Sequence, residues 1–171
     1  TGREVDWAPA VARAEAAKVS IPPDAELPSA ALPLFATTEV QVTNETTLGA
    51  ARRLRDADLR PLALNFANGA TPGGGFLTGS RAQEECLCRS SALYATLVGD
   101  AMYAAHRQRP LPDSSDWAIL SPHVPVFRTD DGEALSEPWE LDFITCAAPF
   151  APRVGAAESA ALLRVRIARL L

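Results

Sequence analysis

The chain has 171 residues, of which 47% are hydrophobic and 22% charged, and its formal net charge is −5. This length predicts a single domain over residues 1–171 with a substantial buried core. The acidic balance excludes a broad positive surface for direct DNA or RNA binding, and no apolar run approaches the roughly 18 residues that a membrane helix needs.

The three cysteines and two histidines indicate neither a disulfide-rich nor a metal-binding protein. Cys86 and Cys88 are two apart on a predicted helix and so point to different faces of it. No basic segment followed by an apolar stretch predicts export, so the expected location is the reducing cytoplasm. Neither His106 nor His123 adjoins a serine or cysteine in a way that predicts a nucleophile and base, so a hydrolytic triad is not expected.

The N-terminal elements are predicted from alternation and from turn residues. Pro9 suits the first turn of a helix, and Asn44–Thr47 offers capping residues for another. The predicted elements are an edge strand over Arg3–Trp7, a helix over Ala8–Lys18, a proline-rich loop over Ile21–Pro33, a strand over Thr38–Thr43 and a helix over Leu48–Ala57.

The central stretch combines a strand, a glycine loop and a helix. Pro61–Ala67 is a short apolar run bounded by turn signals, which predicts a strand buried on both faces with Asn68 at its carboxyl end. Three consecutive glycines then permit positive φ angles and a close backbone approach to phosphate or sugar oxygens. The predicted helix covers Gln83–Val98, with Glu84 and Glu85 in its first turn and Cys86, Leu93, Tyr94 and Leu97 on one face.

The C-terminal half continues the alternation of strand and helix patterns, which predicts the α/β class. His123 lies between Pro122 and Pro125, in a context that favours an extended edge or turn, and a structural or incidental role is expected for it. The predicted elements are a helix over Asp100–Arg107, strand pieces over Trp117–Leu120 and Val124–Phe127, a turn at Asp130–Gly132, a strand over Trp139–Cys146 and a helix over Ala156–Leu171.

The glycine triplet alone does not identify a ligand. No Gly-Lys-Ser/Thr follows it, so it is not a P-loop, and Thr78 stands where a dinucleotide-binding loop needs its third glycine. A glutamate pair in the first turn of a helix is by itself typical of a solvated helix start. The combination is more specific: Asn68 at a strand end, then Gly73 to Gly75, seven further residues, and Gln83-Glu84-Glu85.

This combination resembles the signature of the poly(ADP-ribose) glycohydrolases, a glycine triplet followed after a short spacer by Gln-Glu-Glu. Cys88–Tyr94, Ile119–Arg128 and Phe143–Pro149 are also similar to segments of the bacterial-type members. The resemblance covers most of the chain and implies a macrodomain-like mixed sheet flanked by helices, with ADP-ribose held at the strand ends. Compared with the family domain, N- and C-terminal parts are expected to be lacking here, including a glycine-rich loop that contacts the diphosphate, either because the chain is a piece of a longer protein or because the protein has diverged.

By resemblance, the activity is hydrolysis of ribose–ribose O-glycosidic bonds from the ends of poly(ADP-ribose), which releases ADP-ribose without a metal or cofactor. Glu85 would be the catalytic acid and afterwards the base, and Glu84 would be the second catalytic residue, holding ribose hydroxyls. Asn65 matches a position that is acidic in animal members, and no role is assigned to it. The implied substrate-binding residues are Asn68, Gly73, Gly74, Gly75, Phe76 and Gln83.

Two other functions remain open. One is a macrodomain that binds ADP-ribose without cutting it, which a binding assay beside a turnover assay would distinguish. The other is an enzyme that removes ADP-ribose from a protein side chain or a nucleic acid, which product analysis on defined substrates would distinguish. The expected partner is poly(ADP-ribose) or an ADP-ribosylated protein, and no membrane partner is expected.

Overall fold

The structure is a computed structural model that describes residues 5–27 and 37–171. None of the helices in these ranges is long and apolar enough to span a bilayer. The helices are α1 (Ala8–Ala17), α2 (Thr47–Asp56), α3 (Gln83–Ser90), α4 (Leu93–Leu97), α5 (Ala101–Arg107), α6 (Ala151–Val154) and α7 (Ala156–Leu170), with a 3-10 turn at Phe76–Thr78. The strands are β1 (Val19–Ile21), β2 (Leu62–Ala67), β3 (Ala118–Arg128) and β4 (Ala134–Ala147).

The strands of the described residues form one mixed sheet in the order β1-β3-β4-β2. β3 runs antiparallel to both β1 and β4, whereas β2 runs parallel to β4, with Ala67 opposite Ala147 at their carboxyl ends. Because β2 and β4 are parallel, the loops that leave them begin side by side at one edge of the sheet. Helices pack against the sheet, which confirms the predicted α/β class with a mixed sheet flanked by helices.

The hydrophobic core lies between the sheet and the helices α1 to α5. Of the predicted apolar face of the central helix, Leu93 and Leu97 are buried, but Cys86 is only half-buried. Its place in the core is taken by Leu87 and Cys88. The largest fully buried side chains are Tyr103, Phe143, Leu87, Leu93, Leu97 and Met102.

The prediction of a single helix over Gln83–Val98 is wrong, because Ser91 interrupts it. Ser91 is extended, with φ −141° and ψ 175°, and it forms an isolated bridge to Val126 of β3. The next amide, that of Ala92, donates to the carbonyl of Pro125 at 2.9 Å. The chain therefore leaves the helix to bond to a neighbouring strand, a contact that the helical spacing of apolar residues does not reveal.

The prediction that β2, the edge strand of the described sheet, is buried on both faces is also wrong. Ala63, Asn65 and Ala67 are buried, whereas Leu62 and Phe66 are 52% and 64% exposed. The strand is thus covered on one face only. A short apolar run gives no periodicity by which these two cases could be separated.

Two predictions about N-terminal strands are wrong. The structure has no strand over Thr38–Thr43, whose residues are all exposed despite their alternation. It does have a strand at Val19–Ile21, between the predicted helix and loop, paired antiparallel with β3. Residues 5–7 are not a strand, while residues 3–4 and 28–33 of the predicted elements lie outside the described ranges.

Other predicted elements are confirmed with small shifts. Thr46 caps α2 by accepting a hydrogen bond from the Gly49 amide at 3.0 Å. The two predicted strand pieces after Trp117 are one strand, β3, with a register shift between Ser121 and Val124. His123 lies in this bulge with φ 55° and an exposed side chain. The structural or incidental role expected for His123 stays a prediction.

Candidate active site

The candidate site lies where residues 68–82, here called the glycine loop, connect β2 to α3. The acidic pair, Glu84 and Glu85, is in the first turn of α3, and the two residues are only 3% and 8% exposed. Carboxylates are rarely buried unless hydrogen bonds, a charge partner or a ligand stabilises them. The burial excludes the solvated helix start that such a pair would otherwise indicate.

Glu84 is held by groups from β2 and from the turn that follows it. Its Oε2 accepts a hydrogen bond from the Asn68 amide at 2.8 Å, and its Oε1 accepts one from Asn65 Nδ2 at 3.4 Å. Asn65 is fully buried and also donates to Thr145 Oγ1 of β4 at 3.2 Å. Asn65 therefore links the Glu84 carboxylate to both strands.

Burial raises the pKa of Glu84 to about 7, and the nearby charge of Glu85 acts in the same direction. Hydrogen bonds from Asn68 and Asn65 stabilise the carboxylate and oppose this rise. The Glu84 carboxyl group is therefore protonated in a far larger fraction of molecules at neutral pH than a glutamate in water, which is almost fully ionised there.

The raised pKa predicts a pH-dependent stability. Ionisation of Glu84 is disfavoured in the folded chain. The stability that protonated Glu84 contributes is therefore fully present below pH 4.5, declines as pH rises and is lost above about pH 7. Compared with Glu84→Gln, the unmodified protein should lose about 3 kcal/mol of unfolding free energy across that window. Urea unfolding of both proteins at several pH values measures the difference. If the difference in unfolding free energy between the two proteins does not change with pH, the raised pKa of Glu84 is contradicted.

Glu85 contacts the glycine triplet directly. Its Oε1 accepts a hydrogen bond from the Gly75 amide at 2.9 Å. Gly73 and Gly74 have φ angles of +68° and +57°, a region that favours glycine. A Cβ on Gly74 would overlap Glu85 Oε1 and lie 3.0 Å from Glu84 Oε2. The loop backbone at Gly74 therefore packs against both carboxyl groups, and a side chain there would displace them.

Asn68 closes the turn that follows β2. Its Oδ1 accepts hydrogen bonds from the amides of Ala70 and Thr71, both at 2.9 Å. The residue is exposed, and its Nδ2 makes no hydrogen bond within the described residues. Nδ2 is therefore the part of this side chain that a ligand could engage. The predicted contact of Asn68 with substrate stays a prediction.

Gln83 fixes the start of α3 to the edge strand. Its Oε1 accepts a hydrogen bond from the Phe66 amide at 3.0 Å, and its Nε2 donates to the Leu64 carbonyl at 2.7 Å. Nε2 also donates to Thr47 Oγ1 of α2 at 3.2 Å. The side chain thus occupies backbone groups of β2 that an edge strand leaves free, and it sets the position of the acidic pair that follows.

Gln83→Ala should destabilise the protein by about 1–3 kcal/mol, because the Leu64 carbonyl and the Phe66 amide lose their partner. Gln83→Glu is the matched control: it keeps an acceptor for the amide of Phe66 but has no N–H for the Leu64 carbonyl. Its stability should also fall below that of the unmodified protein. Denaturant unfolding measures both variants, and an unchanged midpoint for Gln83→Ala would contradict this role.

Phe76 and Arg89 hold the far side of the glycine loop. The ring of Phe76 packs edge-on against Tyr94 of α4, with centroids 4.7 Å apart. Arg89 donates to the carbonyl of Ser80 at 2.9 Å and to that of Phe76 at 3.5 Å. The substrate-binding role of Phe76 therefore stays a prediction, since the structure shows only its packing role.

Sequence reasoning missed three groups that shape this site: the link made by Asn65, the contacts of Arg89 and the surroundings of His106. No local sequence signal predicts the surroundings of His106. His106 Nε2 lies 2.7 Å from Ser115 Oγ, although nothing in the order of residues predicts a histidine–serine pair. Ser115 is not set up as a nucleophile, because its own amide also donates to Nε2 at 3.1 Å and its Oγ accepts from the Trp117 amide at 3.3 Å.

A mixed sheet with a glycine loop and a buried acidic pair at the ends of two parallel strands defines a macrodomain-like protein with a candidate hydrolytic site. The family model for the microbial-type PARG catalytic domain, PARG being poly(ADP-ribose) glycohydrolase, matches residues 1–129. The chain belongs to this family. Among curated protein sequences nothing matches it.

Solved structures of two bacterial proteins are similar to this chain. The poly(ADP-ribose) glycohydrolase of Thermomonospora curvata is 41% identical, with a TM-score of 0.85, over 98% of this chain and 65% of that one. The same protein bound to the inhibitor ADP-HPD gives 42% identity and a TM-score of 0.85, over 98% of this chain and 63% of that one. The poly(ADP-ribose) glycohydrolase of Deinococcus radiodurans in complex with ADP-ribose is 36% identical, with a TM-score of 0.72, over 92% of this chain and 64% of that one. The chain thus spans less than two thirds of these structures.

Proposed function

We propose that the protein is a poly(ADP-ribose) glycohydrolase that cuts ribose–ribose O-glycosidic bonds from chain ends and releases ADP-ribose. The observation that carries this proposal is the buried acidic pair under the glycine loop, with Glu85 Oε1 bonded to the Gly75 amide. Family membership and the ADP-ribose and ADP-HPD bound to the similar bacterial proteins support the substrate class.

The proposed chemistry needs one carboxyl group that gives and then takes a proton. Glu85 donates its proton to the ribose oxygen that leaves, and the glycosidic bond breaks to an oxocarbenium-like centre. The resulting carboxylate accepts a proton from a water molecule, whose oxygen bonds to that centre. The products are ADP-ribose and a polymer shortened by one unit, and Glu85 is again protonated.

The other predicted residues bind and orient the substrate. Glu84 accepts hydrogen bonds from ribose hydroxyls, Asn68 contacts the ribose that is cut, and Gln83 orients the first turn of α3. The amides of Gly73, Gly74 and Gly75, with Phe76 beside them, line the approach to the reacting ribose. No metal or cofactor enters these steps. We place residues 1–171 in a single macrodomain-like catalytic domain in the cytoplasm, where the three free cysteines would stay reduced.

The test is product analysis by chromatography after incubation of the protein with purified poly(ADP-ribose). Release of ADP-ribose from the polymer is expected, and a Glu85→Gln control should release it about 10² to 10⁴ times more slowly. A mono-ADP-ribosylated protein serves as the second substrate. Release from that substrate alone would make the protein an ADP-ribosyl-acceptor hydrolase. Calorimetric binding of ADP-ribose without release from either substrate would make it a binding module.

A further inference from the structure

His106 is a buried titratable group that the proposed chemistry does not use. It lies in the last turn of α5, is 7% exposed, and its ring lies between the turn after β2 and the segment before β3. Its Nδ1 is 3.0 Å from the carbonyl oxygen of Gly69, the residue that follows Asn68. The ring thus touches the glycine loop at its first residues.

The partners of the ring determine where its proton lies. The amide of Ser115 can only donate, so Nε2, 3.1 Å away, must accept. The carbonyl of Gly69 can only accept, so Nδ1 must carry the proton and donate. These contacts select the neutral imidazole with its proton on Nδ1, the less common tautomer of free histidine.

The turn held by this ring has no room to move toward it. A Cβ on Gly69 would overlap Ser114 Oγ and lie 3.3 Å from the Cβ of Ala147 and 3.4 Å from His106 Nδ1. Arg107, next to His106 on α5, donates to the carbonyl of Ala70 at 2.7 Å. Two successive carbonyls of the turn are thus fixed by two successive side chains of α5.

The same turn carries the groups that hold the acidic pair. The amide of Asn68, one residue before Gly69, donates to Glu84 Oε2 at 2.8 Å. The Oδ1 of Asn68 bonds to the amides of Ala70 and Thr71 and so makes the turn one rigid unit. A displacement of Gly69 would therefore move both Asn68 and the donor that fixes Glu84.

We propose that His106 is a positioning residue for the glycosidic reaction: its neutral ring holds the Gly69 carbonyl and thereby places Asn68 and Glu84. This inference rests on the proposed function for its kinetic part, while its tautomer and charge are properties of the folded chain alone. A protonated ring would present an N–H at Nε2, which Ser115 Oγ at 2.7 Å can accept, but the Ser115 amide would lose its acceptor. Protonation therefore changes the contacts of the ring at Nε2, while Nδ1 keeps its bond to the Gly69 carbonyl.

The charges around the ring act with its burial. Burial is the main cause that lowers the pKa of His106, and the cations Arg109 and Arg166 lower it further. The bond to the Gly69 carbonyl and the charge of Asp113 oppose them, but Asp113 is itself paired with Arg109. The ring therefore stays neutral below the usual pH range of histidine, and the turn stays held at neutral pH.

The first test is nitrogen NMR of the protein labelled with ¹⁵N-histidine. The exposed His123 is the matched control, and signals are assigned by their loss in His123→Gln and His106→Asn. His106 should show a protonated Nδ1 and an unprotonated Nε2, and it should titrate below the usual pH range of histidine. A proton on Nε2, or titration within that usual range, would overturn the proposal.

The second test compares kinetics on poly(ADP-ribose). His106→Leu removes the donor to Gly69 and should lower kcat/KM about tenfold, the upper end for one lost hydrogen bond. His106→Asn places an amide N–H near the position of Nδ1 and should restore kcat/KM to within about threefold. His123→Gln should leave it unchanged. Equal kcat/KM for His106→Leu and the unmodified protein would overturn the proposal.

The pH profile separates positioning from a purely structural role. His106→Asn cannot be protonated, whereas protonation of His106 removes the acceptor of the Ser115 amide, so the ratio of unmodified to variant kcat/KM should change with a midpoint at the His106 pKa that NMR gives. A ratio that stays constant through that pKa would overturn the proposal, even if His106→Leu does not fold. If the unmodified protein releases no ADP-ribose while His106 shows the Nδ1 proton, the proposed function fails and the tautomer assignment stands.

Discussion

Glu85→Gln is expected to reduce turnover of poly(ADP-ribose) by about 10² to 10⁴, the usual share of general acid–base catalysis. Binding of ADP-ribose should stay within a few-fold of the unmodified protein. The glutamine is nearly isosteric, and its Oε1 can still accept the hydrogen bond from the Gly75 amide that Glu85 accepts at 2.9 Å. The loop should therefore keep its place while the exchangeable proton is lost.

Glu84→Gln is the matched control, because it removes the other carboxyl group of the same buried pair. Its Oε1 can accept from the Asn68 amide, as Glu84 Oε2 does at 2.8 Å. Asn65 Oδ1 is buried and has no partner within the described residues. Rotation of the Asn65 amide would turn this oxygen toward the N–H of the introduced glutamine. We expect turnover and binding to weaken together, since Glu84 would hold ribose hydroxyls in both ground and transition states.

Single-turnover kinetics and calorimetry on both variants decide between the two carboxyl groups. Normal turnover by Glu85→Gln, or a loss that is entirely a loss of binding, would show that Glu85 is not the acid. A selective loss of turnover in Glu84→Gln with binding intact would move that role to Glu84. The raised pKa of Glu84, about 7, makes this a real alternative, because its proton is available at neutral pH.

The parts of the fold that sequence predicted well are those set by local signals. Pro9 near the first turn of α1 and Thr46 as the cap of α2 act within a few residues of chain, and both are where the sequence places them. The turn at Asp130–Gly132 is also local, with the amide of Gly132 bonded to the carbonyl of Thr129 at 3.0 Å. Such elements follow from neighbouring residues alone.

The failures share one cause, since each depends on a distant part of the chain. β1 has three residues and exists because it pairs with β3 about a hundred residues later. Ser91 ends α3 because β3 offers it a bridge at Val126. β2 has an exposed face because no described element covers Leu62 and Phe66. None of these partners is visible in a window of ten or twenty residues.

The residues of the candidate site also fall into two groups, those that a local motif indicates and those that only the assembled fold brings together. The glycine triplet and the acidic pair lie within thirteen consecutive residues, 73–85, so a motif could indicate them. Asn65 and Thr145 meet only because β2 and β4 are in parallel register, and a single sequence does not contain that register. The burial that raises the pKa of Glu84 is likewise a property of the assembled fold.

Gly74→Ala should reduce turnover by about 10² or more, because the added Cβ would displace the carboxyl groups under the loop. At this position a Cβ overlaps Glu85 Oε1 and lies 3.0 Å from Glu84 Oε2. A shift of about 1 Å in a reacting group is enough for a loss of this size. Positive φ at alanine should in addition cost about 1–2 kcal/mol of stability.

Gly79→Ala is the control that separates these two effects. Gly79 belongs to the same loop and has φ +93°, which is at least as strained for alanine as the +57° of Gly74, but nothing lies within 4 Å of its Cβ position. Both variants should therefore unfold at lower denaturant, while only Gly74→Ala should lose turnover. The measurements are urea unfolding and ADP-ribose release for each variant. Equal turnover in the two variants would show that the close packing of Gly74 on the acidic pair has no part in the reaction.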